Sequence, residues 1–468
     1  MKHTIFFFAT LIICVLGIGC KKWLEVPPEN VVLDVDALKT PEDAQRLLNS
    51  CYDVLGNVFD GRVQNIAELL SDNMAQPLNN LELTAVYDRD VTFFNTTTNN
   101  VYTDLYRAIY RSNTLLANFD LIEGLSSDER SRMEAEVRFI RGLCHWWVLK
   151  IWAQPWGYTP GNTHLGIVNR EEPTQEPLAR NTVAENYAFI ISDLTYAYTN
   201  LPESNGSYAN RYAAAGLLSH VFFQKNDFTN CITYADAVRN ANFTLEPTLD
   251  SFHAMDSTQQ YEDSPESIFQ IVTTFTEEIL DIRNEGFRDN YWTGAAGAQM
   301  SLSDELLNYY NLSPTDQRIT EWIVDNQGQY QVKRFGSNAE YTYFFSIPLI
   351  RLTPVLLIRA EAIGENGGDI ASAIQDINAV RDRAFTPGTN NLALDATSQD
   401  VIDAAREEFR KETICEGLRI DQIRRFGANG ENILVRNAPW NCPGMAIQFP
   451  NSEFTGNTFV GNPEGGCN

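Results

Sequence analysis

Residues 352–384 read LTPVLLIRAEAIGENGGDIASAIQDINAVRDRA. Thr353-Pro354 is a helix start, a capping residue followed by proline where its missing N–H costs nothing. Gly364-Glu365-Asn366-Gly367-Gly368 is a turn, and Ile370, Ala373, Ile374, Ile377 and Val380 form the apolar stripe of a second helix. The stretch is therefore a helical hairpin of 33 residues. A second unit of the same kind runs from Tyr208 to Asn240. Ala214, Leu217, Leu218, Val221 and Phe222 make its first stripe, Asn226-Asp227 its break, and Cys231, Tyr234, Ala235 and Val238 its second. Units of this length match the tetratricopeptide (TPR) period of roughly 34 residues, although the signature Trp and Pro of that repeat are missing.

Working outward, helical periodicity also predicts helices over Pro41–Leu55, Asn100–Phe119, Ser127–Ile151, Val183–Asn200 and Val401–Glu416. Three irregular zones rich in Asn, Thr, Gly and aromatics separate them: Asp72–Asn99, Leu245–Phe345, and everything after Gly427. Inside the middle zone, Ser267–Thr273 (SIFQIVT) reads as a short strand. The expected fold is mostly α, a TPR-like helix-hairpin scaffold with long irregular loops and minor β structure. Function on such a scaffold belongs in the irregular zones.

The chain carries 35 basic and 61 acidic residues, a net charge of −26. A basic surface is what nucleic acids and anionic lipids require, so both are excluded as partners. Cys51, Cys144, Cys231 and Cys415 fall in helical-looking stretches and read as small buried hydrophobes. Cys442 and Cys467 lie in a Gly/Pro/Asn-rich tail and are placed to pair in an oxidising compartment. No CxxC spacing occurs. Past residue 19, His145, His164, His220 and His253 are scattered without metal-ligand spacing, and no GxSxG elbow, P-loop or GxGxxG fingerprint is present. No catalytic residue, metal or cofactor is therefore assigned. Arg141, Arg359, Arg381 and Glu361 read as salt-bridge scaffolding, and Trp146, Trp147 and Trp152 as core.

The N-terminus reads as an export signal. Lys2 precedes an apolar run from Ile5 to Ile18 that has signal-peptide dimensions and is short for a membrane span. It ends Leu16-Gly17-Ile18-Gly19-Cys20, which resembles a bacterial lipobox, with Gly17 where leucine is usual. Residues 1–19 are thus expected to be removed, Cys20 to be acylated, and residues 20–468 to form one domain.

Taken in order, these residues resemble the SusD/RagB-like nutrient-binding lipoproteins of Bacteroidetes outer membranes. Leu24-Glu25-Val26-Pro27-Pro28 is similar to that family's stretch after the anchor. Glu136-Val137-Arg138-Phe139-Ile140-Arg141-Gly142 through Trp152 resembles its "EARFLRA…LWG" helix. Ile347-Pro348-Leu349-Ile350-Arg351, Arg359-Ala360-Glu361-Ala362 and Ile377–Ala384 resemble "P-x-x-R…AEA…IN-x-VR-x-RA". Glu408, Glu412, Glu416-Gly417-Leu418-Arg419, Arg425 and Gly427 resemble "E…E…EG-x-R…R-x-G". Phe409, Thr413 and Gln422 depart from the usual residues of that last segment.

The resemblance implies an oligosaccharide ligand (in some relatives a peptide), a SusC-type TonB-dependent transporter as partner, and a lipid-anchored place on the outer membrane, facing the exterior. Sugar rings need aromatic platforms and polar hydrogen-bonding groups. Tyr291, Trp292 and Trp322 are the candidate platform, with Asp72, Asn73 and Tyr87 as contacts from the first zone and residues 245–345 as the binding region. A lipid-anchored glycoside hydrolase and a protein-binding TPR-like scaffold are the rival readings.

Overall fold

The computed structural model describes residues 38–249, 264–275, 280–281, 283, 285–291, 298–311, 315–334, 346–455 and 458–467. The leader with Cys20, and Trp292 with the small-residue run after it, lie outside them.

Helix α1 (Pro41–Val58) opens with a capping box in which Thr40 and Asp43 bond each other's backbone, with Pro41 at the first helical position. Helices α2 (Arg62–Leu70) and α3 (Leu81–Tyr87) are short. Helix α4 (Thr96–Asn118) is capped by Asn95, and α5 (Ser127–Trp152) and α6 (Val183–Asn200) by boxes at Ser126/Glu129 and Thr182/Glu185. The hairpin of α7 (Arg211–Gln224) and α8 (Phe228–Arg239) turns through Asn226, whose φ of 56° is left-handed. Then come β1 (Ser267–Ile271), the minimal strands β2 (Thr274–Phe275) and β3 (Leu280–Asp281), α9 (Glu285–Tyr291), α10 (Asp304–Tyr310) and α11 (Gln317–Trp322). The hairpin of β4 (Ile323–Asn326) and β5 (Gln329–Val332) precedes β6 (Ile347–Arg351). Strand β6 pairs antiparallel with β1.

The second hairpin, α12 (Leu352–Asn366) and α13 (Ile370–Ala384), turns at Gly367, φ +71°. Helices α14 (Ser398–Glu412) and α15 (Arg419–Ala428) and a two-residue hairpin of β7 (Leu434–Val435) and β8 (Ala438–Pro439) complete the order. The fold is mostly helical, as expected. Neighbouring helices pack in sequence, α1 on α4, α4 on α5, α5 on α6, α6 on α7, α7 on α8, and α8 on α12, which also holds α13 and α14.

The strand read from SIFQIVT is β1. Several helix bounds differ from the sequence reading, most at α14 and α4. Helix α14 starts earlier than Val401 because Thr397 and Asp400 form a capping box, and it ends at Glu412, ahead of a turn where Cys415 takes φ 68°. Helix α4 starts at Thr96 because Asn95 caps it. The zones read as irregular also contain α3, α9, α10 and α11.

One apolar cluster runs from Ala44 to Phe459, with Trp146, Trp147 and Trp152 inside it as expected. Through the interior runs a buried ion network. Arg383 bonds Glu266 and Glu412 at 2.6 Å each, Arg351 bonds Glu266 (2.6 Å) and Glu416 (2.8 Å), and Arg318 bonds Glu408 and Asp316 (2.8 Å each). Burial alone would raise the Glu266 carboxyl, but Arg383 and Arg351 outweigh it and hold it far below the usual carboxylate range. The charged residues of the C-terminal sequence motifs are thus scaffold. So are Arg141, paired with Asp193 at 2.7 Å, and Arg359, paired with Asp376 at 2.6 Å. Cys442 and Cys467 are disulfide-bonded, and the other four described cysteines are buried and free. Among the described residues no helix is long and apolar enough to cross a membrane.

Candidate ligand-binding cleft

Two backbones cross where α2 and α9 begin. Gly61 takes φ +120°, and a Cβ on it would fall 2.4 Å from the Phe287 nitrogen; one on Gly286 would fall 2.8 Å from the Arg62 nitrogen. Only glycine on both sides allows this approach. The crossing is bonded: the Phe287 N–H donates to the Asp60 carbonyl (3.1 Å), and the Gly286 carbonyl accepts from the side-chain amides of Asn65 (2.9 Å) and Asn290 (2.7 Å).

A second wall is tied on by a short ladder. Leu78 N–H donates to Gln299 O, Ala75 N–H to Ser301 O, and Ser303 N–H to Asn73 O, each at 2.9 Å. Asn80 caps α3 through its oxygen and donates its amide to the Gln299 side chain at 3.1 Å. Glu82 accepts the Thr96 and Thr97 amides at the start of α4. Together with the Thr97 hydroxyl these donors overcome partial burial and lower its carboxyl.

Between the walls lies a cleft of about 390 Å³. Its floor and sides present the amides of Asn65, Asn80, Asn290 and Gln299, the carboxylates of Asp60, Glu285 and Asp289, and the guanidinium of Arg62. Burial raises the Asp60 carboxyl, and Arg62, 3.1 Å away, pulls it back. Asn65 is 2% exposed, and its side-chain oxygen has no hydrogen-bond partner. Groups that both donate and accept, set around a concave space, suit a ligand edged with hydroxyls.

The two irregular zones meet as the sequence reading requires, but most of the side chains singled out there do not face the cleft. Trp322 is fully buried: its indole N–H donates to Leu249 O at 2.9 Å and the Arg334 guanidinium sits 4.2 Å over its ring. Tyr291 is 3% exposed and packs on Phe287, with burial pushing its hydroxyl well up. Neither ring has a face free for stacking, because the largest apolar surfaces of a loop-rich zone are those it gains most by burying. Asp72 is gripped by both arms of Arg419 (2.8 Å each), and Asn73 accepts from Arg410 at 3.1 Å. Tyr87, half-buried, lies under the Arg436 guanidinium (4.1 Å) beside a different hollow. Asn65, Asn80, Asn290 and Gln299 line the cleft instead; Asn290 adjoins Tyr291 in sequence, and the other three follow no sequence pattern.

A profile described as SusD family matches residues 204–458, more than half the chain. The chain belongs to the SusD family. A second profile, described as "Starch-binding associating with outer membrane", matches residues 22–223 of this SusD-family protein. SusD-family members are non-catalytic, carbohydrate-binding proteins associated with the outer membrane. SusD-like protein P25 of Formosa agariphila is 24% identical, the match covering 87% of each chain. The crystal structure of a SusD superfamily protein from Bacteroides thetaiotaomicron VPI-5482 shares the fold with a TM-score of 0.76 at 21% identity, covering 91% of this chain and 100% of that one. A laminarin-binding SusD-like protein does so at 0.70 and 17%, covering 91% and 99%.

Proposed function

We propose that this SusD-family chain is a lipoprotein, acylated at Cys20 and facing the exterior, that binds an oligosaccharide in the cleft between α2, α3 and α9. It delivers that ligand to a SusC-type TonB-dependent transporter, all on a single domain of residues 20–468. The observation that carries the reading is the amide-lined cleft at the meeting of the two irregular zones. Trp292, next in sequence after α9, is kept as the aromatic contact. The laminarin-binding relative supports a glycan ligand.

An apolar rim supports docking to a partner. Leu81 (88% exposed) and Phe94 (70% exposed) flank the cleft-lining Asn80 and Thr97. Phe454 of the tail, also exposed, lies against Phe93, which packs on Phe94. Apolar surface grouped beside a ligand site marks an interface.

Calorimetry against a glycan panel tests the binding. A ligand should be found, and Asn80→Ala with Gln299→Ala should weaken it by roughly 10-fold or more, each lost hydrogen bond being worth about 1 kcal/mol. Unchanged affinity in that double variant sinks the assignment of the cleft. Leu81→Asp with Phe94→Asp should abolish co-purification with the transporter and leave glycan binding intact.

A further inference from the structure

A second hollow lies between α1, the turn before α7, and β1. It encloses about 380 Å³, within the range of about 300–1,000 Å³ typical of small-ligand sites. It holds what the described lining of the cleft lacks, an aromatic ring that is only half-buried, Tyr208. Among the described residues the only ring against Tyr208 is Tyr52, at 4.8 Å and tilted by 58°, and no guanidinium covers it. Tyr208 also lines an adjoining hollow of about 210 Å³. Polar groups edge the ring. Asn49 accepts from the Tyr208 hydroxyl at 3.1 Å and leaves its amide nitrogen without a partner among the described residues, as exposed Ser207 leaves its hydroxyl. We propose that this hollow is a second glycan site, in which Tyr208 stacks on the face of a pyranose ring while Asn49 and Ser207 bond the hydroxyls at its edge. The proposal rests on the chain binding glycans and is independent of the cleft assignment.

A stacking ring serves best when it is held still before the sugar arrives, since freedom lost on binding weakens affinity. Tyr208 is held at both ends. Its hydroxyl is fixed by Asn49 of α1, and the N–H of the next residue, Ala209, donates to the Tyr52 hydroxyl at 3.1 Å. Tyr52 in turn donates to the buried Glu136 of α5 at 2.7 Å. Asn205 closes the turn, its side-chain amide donating to the Ala209 carbonyl at 2.9 Å. Sugar C–H groups meet the face of the ring, and sugar hydroxyls, which both donate and accept, meet the Asn49 amide and the Ser207 hydroxyl. The two sites are neighbours along the chain: Gly56 and Arg283 line the hollow, Asp60 and Glu285 the cleft. One long glycan therefore engages both, the second contact being made at high effective concentration.

The probes are trisaccharides and polysaccharides of the laminarin, starch, cellulose, mannan and xylan series, titrated calorimetrically into the full mature protein and tested in affinity gels. Tyr208→Ala should weaken polysaccharide binding by roughly 10-fold or more, the gain of the second contact being lost. Trisaccharide binding in the cleft should persist in that variant, which shows that it is folded. Tyr208→Phe, which keeps the ring and drops only the bond to Asn49, should bind polysaccharide within about 2-fold of the wild type. Polysaccharide affinity unchanged in Tyr208→Ala, or lost equally in Tyr208→Phe, overturns the second site and leaves the cleft assignment standing. If every probe depends on Tyr208 and none on Asn80 and Gln299, the cleft assignment falls and the Tyr208 site stands. If no probe binds at all, glycan binding itself falls, and this site with it.

Discussion

Replacing Gly286 with alanine sets two principles against each other. The residue sits in the first turn of α9, where helix propensity alone favours alanine by about 1 kcal/mol. The new Cβ, however, would lie 2.8 Å from Arg62 N, 3.0 Å from Gly61 C and 3.1 Å from Asp60 O. All three are backbone atoms, so no side chain can rotate out of the way. Overpacking of this kind costs about 1–3 kcal/mol. Prising the two backbones apart also weakens the Phe287 to Asp60 and Asn65 to Gly286 hydrogen bonds, about 1 kcal/mol each if lost. The net expectation is a loss of roughly 2–4 kcal/mol once the propensity gain is subtracted. Urea titration of the ligand-free protein measures it, and calorimetry with a bound glycan should show weaker affinity because Asn65 and Glu285 move relative to each other. Gly368→Ala is the control, its nearest neighbour being Ile363 Cγ2 at 3.5 Å. If Gly286→Ala is as stable as the wild type and binds as well, the crossing is not the rigid floor described above.

Two further outcomes test the frame. Glu68 is fully buried and its carboxyl is pushed up to about 7, chiefly by burial, with the Gly417 amide pulling the other way. Its contribution to stability is therefore complete below the unfolded value of about 4.3 and is lost as pH rises through 7, up to ~3–4 kcal/mol. Glu68→Gln should flatten that fall between about pH 5 and about pH 8 in urea titrations, and an unaltered slope counts against the burial argument. The disulfide closes a loop of sequence separation 25, which by chain entropy is worth ~3–4 kcal/mol. Cys442→Ser should lower Tm, and reductant should bring the wild type down to the variant while leaving the variant unmoved.

The hairpin of α12 and α13 is legible through its Gly367 turn, and α6 between Thr182 and Leu201, but α12 starts at Leu352 with Arg351 in the cap position and no side-chain capping bond, so Thr353 and Pro354 lie inside its first turn rather than at its cap. The start of α14 is also written in the sequence, as Thr397 and Asp400 in capping-box spacing ahead of the apolar stripe from Val401. Helices α9, α10 and α11 have six or seven residues, too few for a 3.6-residue period to declare itself. The site was legible only as a meeting of zones. Which aromatic of the middle zone turns inward depends on partners far along the chain, such as the Leu249 carbonyl for Trp322. Amides such as Asn65 and Gln299 follow no periodicity, and only the glycine crossing gives them a common space.

The arginines of the buried ion network precede their last counter-charges in the chain. Arg318, Arg351 and Arg383 depend on Glu408, Glu412 and Glu416, supplied by α14 and the turn after it. A chain stopped short of that helix would leave Arg351 and Arg383 sharing Glu266 and Arg318 with Asp316 alone, an incomplete balance of charge in a low-dielectric interior. The segment from Glu408 to Glu416 therefore acts as a completeness check. A chain truncated before Glu408 should be cleaved by proteases far faster than the full polypeptide, which closes its own interior.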